Sequence, residues 1–111
     1  MPKVARKDGK DKVKSPDGGG VSDANKPECK IPSTQVSDKG SSNVFVNNIG
    51  VVRLGDAMKQ HQGPDCAPHA PTLSKGSPTV FANNKAIGRK DDPYGGDHPL
   101  STGSDNVFAD S

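Results

Sequence analysis

The feature that most constrains the fold of this chain is a phrase of fourteen residues that occurs twice and begins a third time. Residues 40–53 read GSSNVFVNNIGVVR, residues 76–89 read GSPTVFANNKAIGR, and residues 103–110 read GSDNVFAD. The chain has three Phe residues, and each copy contains one of them. Because apolar residues recur in one phrase at a fixed spacing, each copy is expected to be one structural unit.

The composition leaves little material for a hydrophobic core. Leu, Ile, Val and Phe make up 19 of 111 residues, or 17%, below the roughly 20% that usually separates globular chains from disordered ones. The net charge of +2 gives no strong self-repulsion. A single domain of this length with so few apolar residues needs a disulfide, a metal or a partner to stabilise it.

Several classes of protein are excluded on the same grounds. No apolar run approaches the roughly 20 residues that span a membrane. The start, MPKVARKDGKDK, has no apolar core, so it does not resemble a secretory signal, and synthesis in the cytoplasm is expected. One Tyr, no Trp and a weakly basic balance argue against nucleic acid as a partner.

Each copy of the phrase predicts a β-hairpin. A short β run, Val-Phe-Val or Val-Phe-Ala, is followed by two Asn residues and a second run that ends in Arg. Asn tolerates positive φ, so Asn47-Asn48 and Asn83-Asn84 suit tight hairpin turns. No stretch has the three- and four-residue apolar spacing of a helix. The fold class is therefore expected to be all-β, with very little helix.

The ends of the chain complete the pattern. The last copy stops after its first strand, and Val4-Ala5-Arg6 near the N-terminus resembles the missing second half. Pairing of the two terminal strands would close three hairpin units around a pseudo-threefold axis; the alternative is a β-meander with coincidental echoes. We expect one domain, 1–111, with these parts: a long polar loop at 7–39, repeats at 40–61 and 76–98, and a partial repeat at 103–110 completed by 1–11.

Histidine and cysteine residues in the loops predict a metal site. All three histidines follow the Asp turns, and HQGPDCAPH places His61, Cys66 and His69 five and three residues apart. Together with His98 in the next loop, these residues offer the imidazole and thiolate ligands that zinc prefers. A loop histidine in isolation is more often an ordinary surface residue, so convergence of the loops carries this prediction.

The choice of sulfur ligand stays open between two cysteines. Cys66 has the local spacing, whereas Cys29 precedes the first copy of the phrase as His69 and His98 precede the next two. A disulfide between Cys29 and Cys66 is the third alternative, and a cytoplasmic origin disfavours it.

The chain resembles PAAR-repeat proteins, the tips of type VI secretion spikes and of contractile phage baseplate spikes. The resemblance covers nearly the whole chain: the Val-Phe-x-Asn-Asn hairpin, the return strand ending in Arg, the Gly-Asp turn, the His loops and the truncated last copy. The Pro-Ala-Ala-Arg motif itself is degenerate, since 50–53 read GVVR and 86–89 read AIGR. Arg53 and Arg89 keep the motif's last letter, and Arg6 is the matching residue at the N-terminus.

The resemblance implies a small cone whose base caps a trimeric β-helical spike, with one monomer per spike. Its apex would bind a structural Zn²⁺ through three His and one Cys, here His61, His69, His98 and either Cys29 or Cys66. The tip would be assembled on a phage baseplate or secretion spike, contact the target membrane transiently and reach the target cell envelope. The threefold partner would contact the strands at Val44, Phe45, Val80, Phe81, Val107 and Phe108.

A zinc site closed by four protein ligands has no open position for water, so we expect no enzymatic activity. Two other functions fit the same residues less well. A small zinc hydrolase would instead use three His as ligands and Asp65 or Asp97 as general base. A zinc-stabilised interaction module with another partner is the remaining alternative.

Overall fold

The computed structural model describes residues 2–19 and 31–109. Over these residues it has no helix, so the all-β prediction is confirmed, and nothing in them could span a membrane as a helix. Within these two ranges, each strand pairs antiparallel with its neighbour in the chain, giving five two-stranded sheets. The strands are β1 (Lys12–Ser15), β2 (Ser33–Val36), β3 (Phe45–Val46), β4 (Ile49–Gly50), β5 (His61–Gln62), β6 (Pro68–His69), β7 (Phe81–Ala82), β8 (Lys85–Ala86), β9 (Pro93–Tyr94) and β10 (His98–Pro99).

The two complete copies of the phrase form the hairpins β3–β4 and β7–β8. Their turns are the Asn pairs, with φ values of 53° and 65° at Asn47 and Asn48, and of 54° and 63° at Asn83 and Asn84. Positive φ at both central residues is the type I′ arrangement, whose twist matches that of the flanking strands. Asn populates this region more readily than most residues do, which explains why both turns use it.

The N-terminal segment pairs with the third copy of the phrase. Lys3 pairs with Phe108, the backbone N–H of Val4 donates to Val107 O at 3.0 Å, and Ser104 N–H donates to Val4 O at 2.8 Å. The first copy has the same pair of bonds, since Val51 N–H donates to Val44 O at 3.0 Å, and the N–H of Ser41, the counterpart of Ser104, donates to Val51 O at 2.8 Å.

A closed ring of three backbone hydrogen bonds joins the return segments of the three copies. Ala5 N–H donates to Gly88 O at 2.9 Å, Gly88 N–H to Val52 O at 2.7 Å, and Val52 N–H to Ala5 O at 3.0 Å. A Cβ at Gly88 would lie 2.9 Å from a methyl carbon of Leu73 and 3.1 Å from one of Val52. The ring therefore needs a residue without a side chain at this corner.

The Arg residue at the end of each return segment closes the turn that follows it. Its backbone N–H and its Nε both donate to one carboxylate oxygen of an Asp, and Nη2 donates to the other oxygen. Charge-assisted pairs of this bidentate kind are the strong ones. Hydrogen bonding to the Asp raises the pKa of Arg6 and of Arg53. The pairs are Arg6–Asp11, Arg53–Asp56 and Arg89–Asp92.

The side chains of Arg6 and Arg53 also reach the next hairpin. Arg6 Nη1 donates to Asn47 Oδ1 at 3.2 Å, and Arg53 Nη1 donates to Asn83 Oδ1 at 3.1 Å. The retained Arg of the degenerate motif therefore connects the units, while the preceding motif positions form the backbone ring.

Substitution of Asp92 by Asn is expected to destabilise the protein by about 3 kcal/mol, because it removes the charge of a buried carboxylate that accepts three hydrogen bonds from Arg89. Both side chains of the pair are only 6% exposed. Asp91→Asn is the matched control, since the Asp91 side chain is 82% exposed and Asn tolerates its positive φ. Urea unfolding of both variants checks this, and equal midpoints for the two would contradict it.

The core consists of two small apolar clusters. The larger lies among the return segments and the loops, and the smaller lies among the hairpins, with Val44, Val46 and Val107 packed against it. Tyr94 is the largest fully buried side chain. The larger cluster contains Ala5, Val13, Val52, Met58, Leu73, Tyr94 and Leu100, and the smaller contains Val4, Val51, Ala82, Ile87 and Ala109.

Replacement of Tyr94 by Phe is expected to stabilise the protein by roughly 1 kcal/mol. The Tyr94 hydroxyl is buried and finds no hydrogen-bond partner within the described parts of the chain, and such a group costs free energy when it leaves water. Burial, followed by the charges of Asp56 and Asp11, raises the pKa of this hydroxyl. A rise in the urea midpoint checks the prediction; a fall would mean that the hydroxyl has a partner.

Part of the segment predicted as a polar loop, 7–39, is a β-hairpin instead. Strand β1 pairs along its length with β2, and Val13 also pairs with Leu100. Lys12 and Lys14 are exposed while Val13 and Ser15 are buried. Such alternation of exposed and buried residues is typical of a half-buried strand. The many charged residues around the strand obscure this pattern in the sequence.

Candidate metal centre

Strands β5 and β6 place two histidines side by side. His61 and His69 are register partners, and residues directly opposite each other in an antiparallel pair project from the same face. Their rings meet edge to face with centroids 4.4 Å apart. The five-residue turn between the strands thus converts a sequence separation of eight into direct contact.

Two further groups come from other loops of the chain. His98 begins β10, and its ring centroid lies 5.2 Å from that of His61 and 5.3 Å from that of His69. Asp17 follows β1, which lies beside β10 through the pairing of Val13 with Leu100. One ligand-type atom from each of these four side chains lies within 4.8 Å of all the others, so the cluster could hold a metal ion.

The separations fit the edges of a coordination tetrahedron. Asp17 Oδ1 lies 2.8, 3.2 and 3.3 Å from the Nε2 atoms of His61, His69 and His98. His61 Nε2 lies 2.9 Å from His69 Nε2 and 3.2 Å from His98 Nε2. Tetrahedral zinc with bonds of about 2.0–2.1 Å requires ligand–ligand distances of about 3.3 Å. The ligand atoms are therefore close to the positions that an ion would need.

The Nδ1 atoms of two histidines face hydrogen-bond acceptors outside the cluster. His61 Nδ1 is 3.1 Å from the carbonyl oxygen of Lys59, and His98 Nδ1 is 2.6 Å from the carboxylate of Asp97. Both partners are acceptors, so the tautomer that would bind an ion carries its proton on Nδ1. Nε2 of the neutral ring then presents a lone pair to the centre, the arrangement found behind metal-bound imidazoles.

The cluster contains an ionised carboxylate that could bind a cation together with the imidazoles. Burial raises the pKa of the Asp17 carboxyl, but the hydrogen bond from Ser15 and the adjacent imidazoles of His69, His98 and His61 outweigh burial, and the net pKa is lowered. Without an ion, imidazole N–H groups that donate to Asp17 offset its negative charge. In the tautomers with the proton on Nδ1, the carboxylate and the Nε2 lone pairs would instead meet at one centre, and a divalent ion there would make each of these contacts favourable.

Neighbouring groups hold Asp17 in place. Ser15 Oγ donates to Asp17 Oδ1 at 2.8 Å, and Ser33 Oγ donates to the Asp17 carbonyl. Gly18 has φ of +85°, and a Cβ there would lie 2.8 Å from the Gln35 amide nitrogen and 3.0 Å from His61. The Asp-Gly step therefore lets the chain turn directly against the ring of a ligand.

Access to the cluster is uneven. The side chains of Asp17, His61 and His98 are 2–4% exposed, whereas that of His69 is 32% exposed. An ion would be enclosed on three sides and reached past His69.

The structure brings together the three histidines predicted as ligands, and Cys66 does not join them. Cys66 is disulfide-bonded, so its sulfur is not a thiolate ligand. Cys29 lies outside the described residues. The fourth group is Asp17, which the sequence reasoning missed. The signal was an Asp-Gly step that follows the alternating KVKS strand after one Pro residue, in the one loop that lacks a histidine.

The two carboxylates considered as general bases do not face the cluster as bases. Asp97 binds Nδ1 of His98, on the far side of that ring from Nε2. Asp65 accepts a hydrogen bond from Ala67 N–H within the β5–β6 turn. Asp97 is instead in position to orient a ligand.

Comparison of the chain with protein-family models and with curated proteins found no match to either.

Proposed function

We propose that the protein is a metal-stabilised tip that caps a trimeric β-helical spike of a contractile injection machine, with one chain per spike. The observation that carries this proposal is the closed ring formed by Ala5, Val52 and Gly88, which relates three copies of one hairpin unit. A single chain with three equivalent units can match the end of a trimer, since each unit meets one subunit in the same way.

Exposed aromatic residues supply a surface for such a partner. Phe45, Phe81 and Phe108 occupy equivalent places in the three units and are 57%, 58% and 47% exposed. Large apolar side chains repeated on the surface favour a protein contact. The preceding Val80 is also exposed, whereas Val44 and Val107 pack partly against the smaller core cluster, so the Phe side chains are the main candidates for contact.

The metal in this proposal is a structural Zn²⁺. Three imidazoles and one carboxylate in tetrahedral positions suit zinc, and a site filled by four protein ligands leaves no position for a reacting water. The ligands come from three different inter-repeat loops, so one ion would connect segments that the small core leaves loosely joined. The proposed role is therefore mechanical rather than enzymatic.

The resemblance to PAAR-repeat proteins supplies the kind of machine. Under this proposal the tip is carried at the front of a phage or secretion spike, touches the target membrane transiently and is delivered into the target cell envelope. The experiment is co-elution of the purified protein with a trimeric β-helical spike fragment in size-exclusion chromatography with light scattering. A complex of one chain with three spike chains is expected. Absence of any complex with such ends would overturn the proposal.

Phe45→Asp is expected to weaken spike binding at least tenfold, because the substitution places a charge in an apolar contact. Leu54→Asp is the matched control: Leu54 is 40% exposed but follows the return segment instead of lying in the Val-Phe strand. Titration calorimetry of both variants checks the prediction. Equal loss of affinity in both variants, or in neither, would contradict the assignment of the Phe surface.

A further inference from the structure

The hairpin β5–β6 carries two different cross-linking groups. His61 and His69 lie opposite each other in its strands, and Cys66 lies in its turn and is disulfide-bonded. The turn is itself ordered, since Gly63 N–H donates to Ala67 O at 2.7 Å and Cys66 N–H to Gly63 O at 3.0 Å. One short hairpin thus contains half of the candidate metal ligands and an oxidised cysteine, and the two are separate.

The fourth candidate ligand of the metal cluster is a carboxylate oxygen that neighbouring groups hold in place. Asp17 is buried. Its Oδ1 accepts a hydrogen bond from the Ser15 hydroxyl at 2.8 Å, and its backbone carbonyl accepts one from the Ser33 hydroxyl. A thiolate in this position would be open to oxidation. Carboxylate and imidazole groups do not undergo that chemistry.

We infer that this centre is adapted to an oxidising compartment. There it keeps its metal under conditions that release metal from thiolate sites, and the disulfide of the same hairpin persists. Disulfides are stable in extracellular, periplasmic and similar environments and are rare where thiols are kept reduced. The inference rests on the metal centre of the proposed function and concerns where the folded protein works. It is independent of whether the partner is a spike.

The direct test is metal release from the zinc-loaded protein in hydrogen peroxide, followed with a chromogenic chelator. The wild-type protein is expected to release no more zinc than it does in buffer. The matched control is Asp17→Cys, which places a thiolate among the same three histidines. Peroxide takes two electrons from that sulfur and transfers one oxygen to it, giving a sulfenate and water, and the variant is expected to release its zinc. A zinc-finger peptide with Cys ligands serves as the positive control if the variant does not fold.

A second measurement uses a reductant. A water-soluble phosphine reduces a disulfide by two electrons, taking an oxygen from water to form the phosphine oxide and leaving two thiols. We expect the reduced thiols to react with N-ethylmaleimide while the zinc stays bound. Thermal unfolding should then begin at a lower temperature than in the oxidised protein, because a cross-link has been lost.

The outcomes distinguish failure of this inference from failure of the capping function. Zinc release from the wild-type protein by peroxide, protection of a thiol by zinc, or a protein that holds no zinc would overturn it. A protein that keeps zinc in peroxide but fails to bind spike ends would support this inference and contradict the capping function. A protein that loses zinc in peroxide yet binds spikes would do the reverse.

Discussion

His98→Ala is expected to abolish tight metal binding and to lower the thermal unfolding midpoint by roughly 15 °C. The His98 side chain is 2% exposed, and its loss removes one of the four groups that would surround the ion. A ligand present at 1,000 times its Kd stabilises the folded state by about 4 kcal/mol, and each kcal/mol is worth about 4 °C in a domain of this size. Scanning calorimetry of zinc-loaded proteins, with and without EDTA, measures the effect.

The same experiment contains its own controls. EDTA should lower the wild-type midpoint to near that of His98→Ala and leave the variant unchanged. The unfolding midpoint of zinc-loaded His69→Ala should lie between those of the zinc-loaded wild-type protein and His98→Ala. The His69 side chain is 32% exposed, so water can take its place beside the ion. If His98→Ala binds zinc as tightly as the wild-type protein, His98 is not a ligand and the histidine cluster is a structural coincidence.

Asp17→Asn is expected to weaken zinc binding by roughly 100-fold or more, since the variant keeps the shape of the side chain but removes its negative charge. Outer groups that only orient a ligand cost about 10–100-fold, and Asp17 lies nearer the ion than such groups. Competition with a chromogenic chelator at pH 7 measures the affinity. Asp65→Asn, in the β5–β6 turn, is the control and should leave the affinity unchanged; an unchanged affinity for Asp17→Asn would remove Asp17 from the ligand set.

The metal-free forms of the wild-type protein and of Asp17→Asn test the pKa of Asp17. Its folded-state pKa is lowered, so ionised Asp17 contributes stability above the pKa of the unfolded chain, near 4, and this contribution is lost as the pH falls through the folded-state value. Metal-free wild-type protein should therefore lose more stability than Asp17→Asn between about pH 4 and the folded-state pKa. Parallel curves of stability against pH would contradict the direction of the shift.

The hairpins could be predicted because the sequence constrains them locally. Asn47-Asn48 and Asn83-Asn84 fall between two short apolar runs, and both pairs adopt the positive φ that such a turn requires. Strands β1 and β2 could not be predicted in the same way. Their exposed positions carry Lys12 and Lys14, and the core contact that defines their inner face comes from Leu100, far away in the chain.

The histidines of the site were predictable and the carboxylate was not. His61, His69 and His98 are the only histidines of the chain and lie in loops after equivalent turns. The chain has thirteen Asp and Glu residues, so nothing in the residue type singles out Asp17. The equivalence of the inter-repeat loops indicated a ligand in the right segment, 7–39, but favoured a sulfur ligand there. Burial of Asp17 beside Ser15 depends on the β1–β2 hairpin, which the sequence did not reveal.

The small core explains why a metal centre matters to this protein. Its two apolar clusters contain few large side chains, and the buried carboxylates of Asp11, Asp56 and Asp92 each pair with an Arg. Buried ion pairs specify geometry but add little net stability. An ion held by three loops would supply the cross-link that a chain of this composition otherwise lacks.

X-ray absorption spectroscopy at the zinc edge, on protein purified with its metal, tests the central claim most directly. The spectrum reports the number and type of atoms bound to the ion. The account predicts one zinc per chain with four nitrogen or oxygen neighbours at about 2.0–2.1 Å and no sulfur. A sulfur neighbour at about 2.3 Å, or a protein without bound metal, would contradict a centre formed by Asp17, His61, His69 and His98.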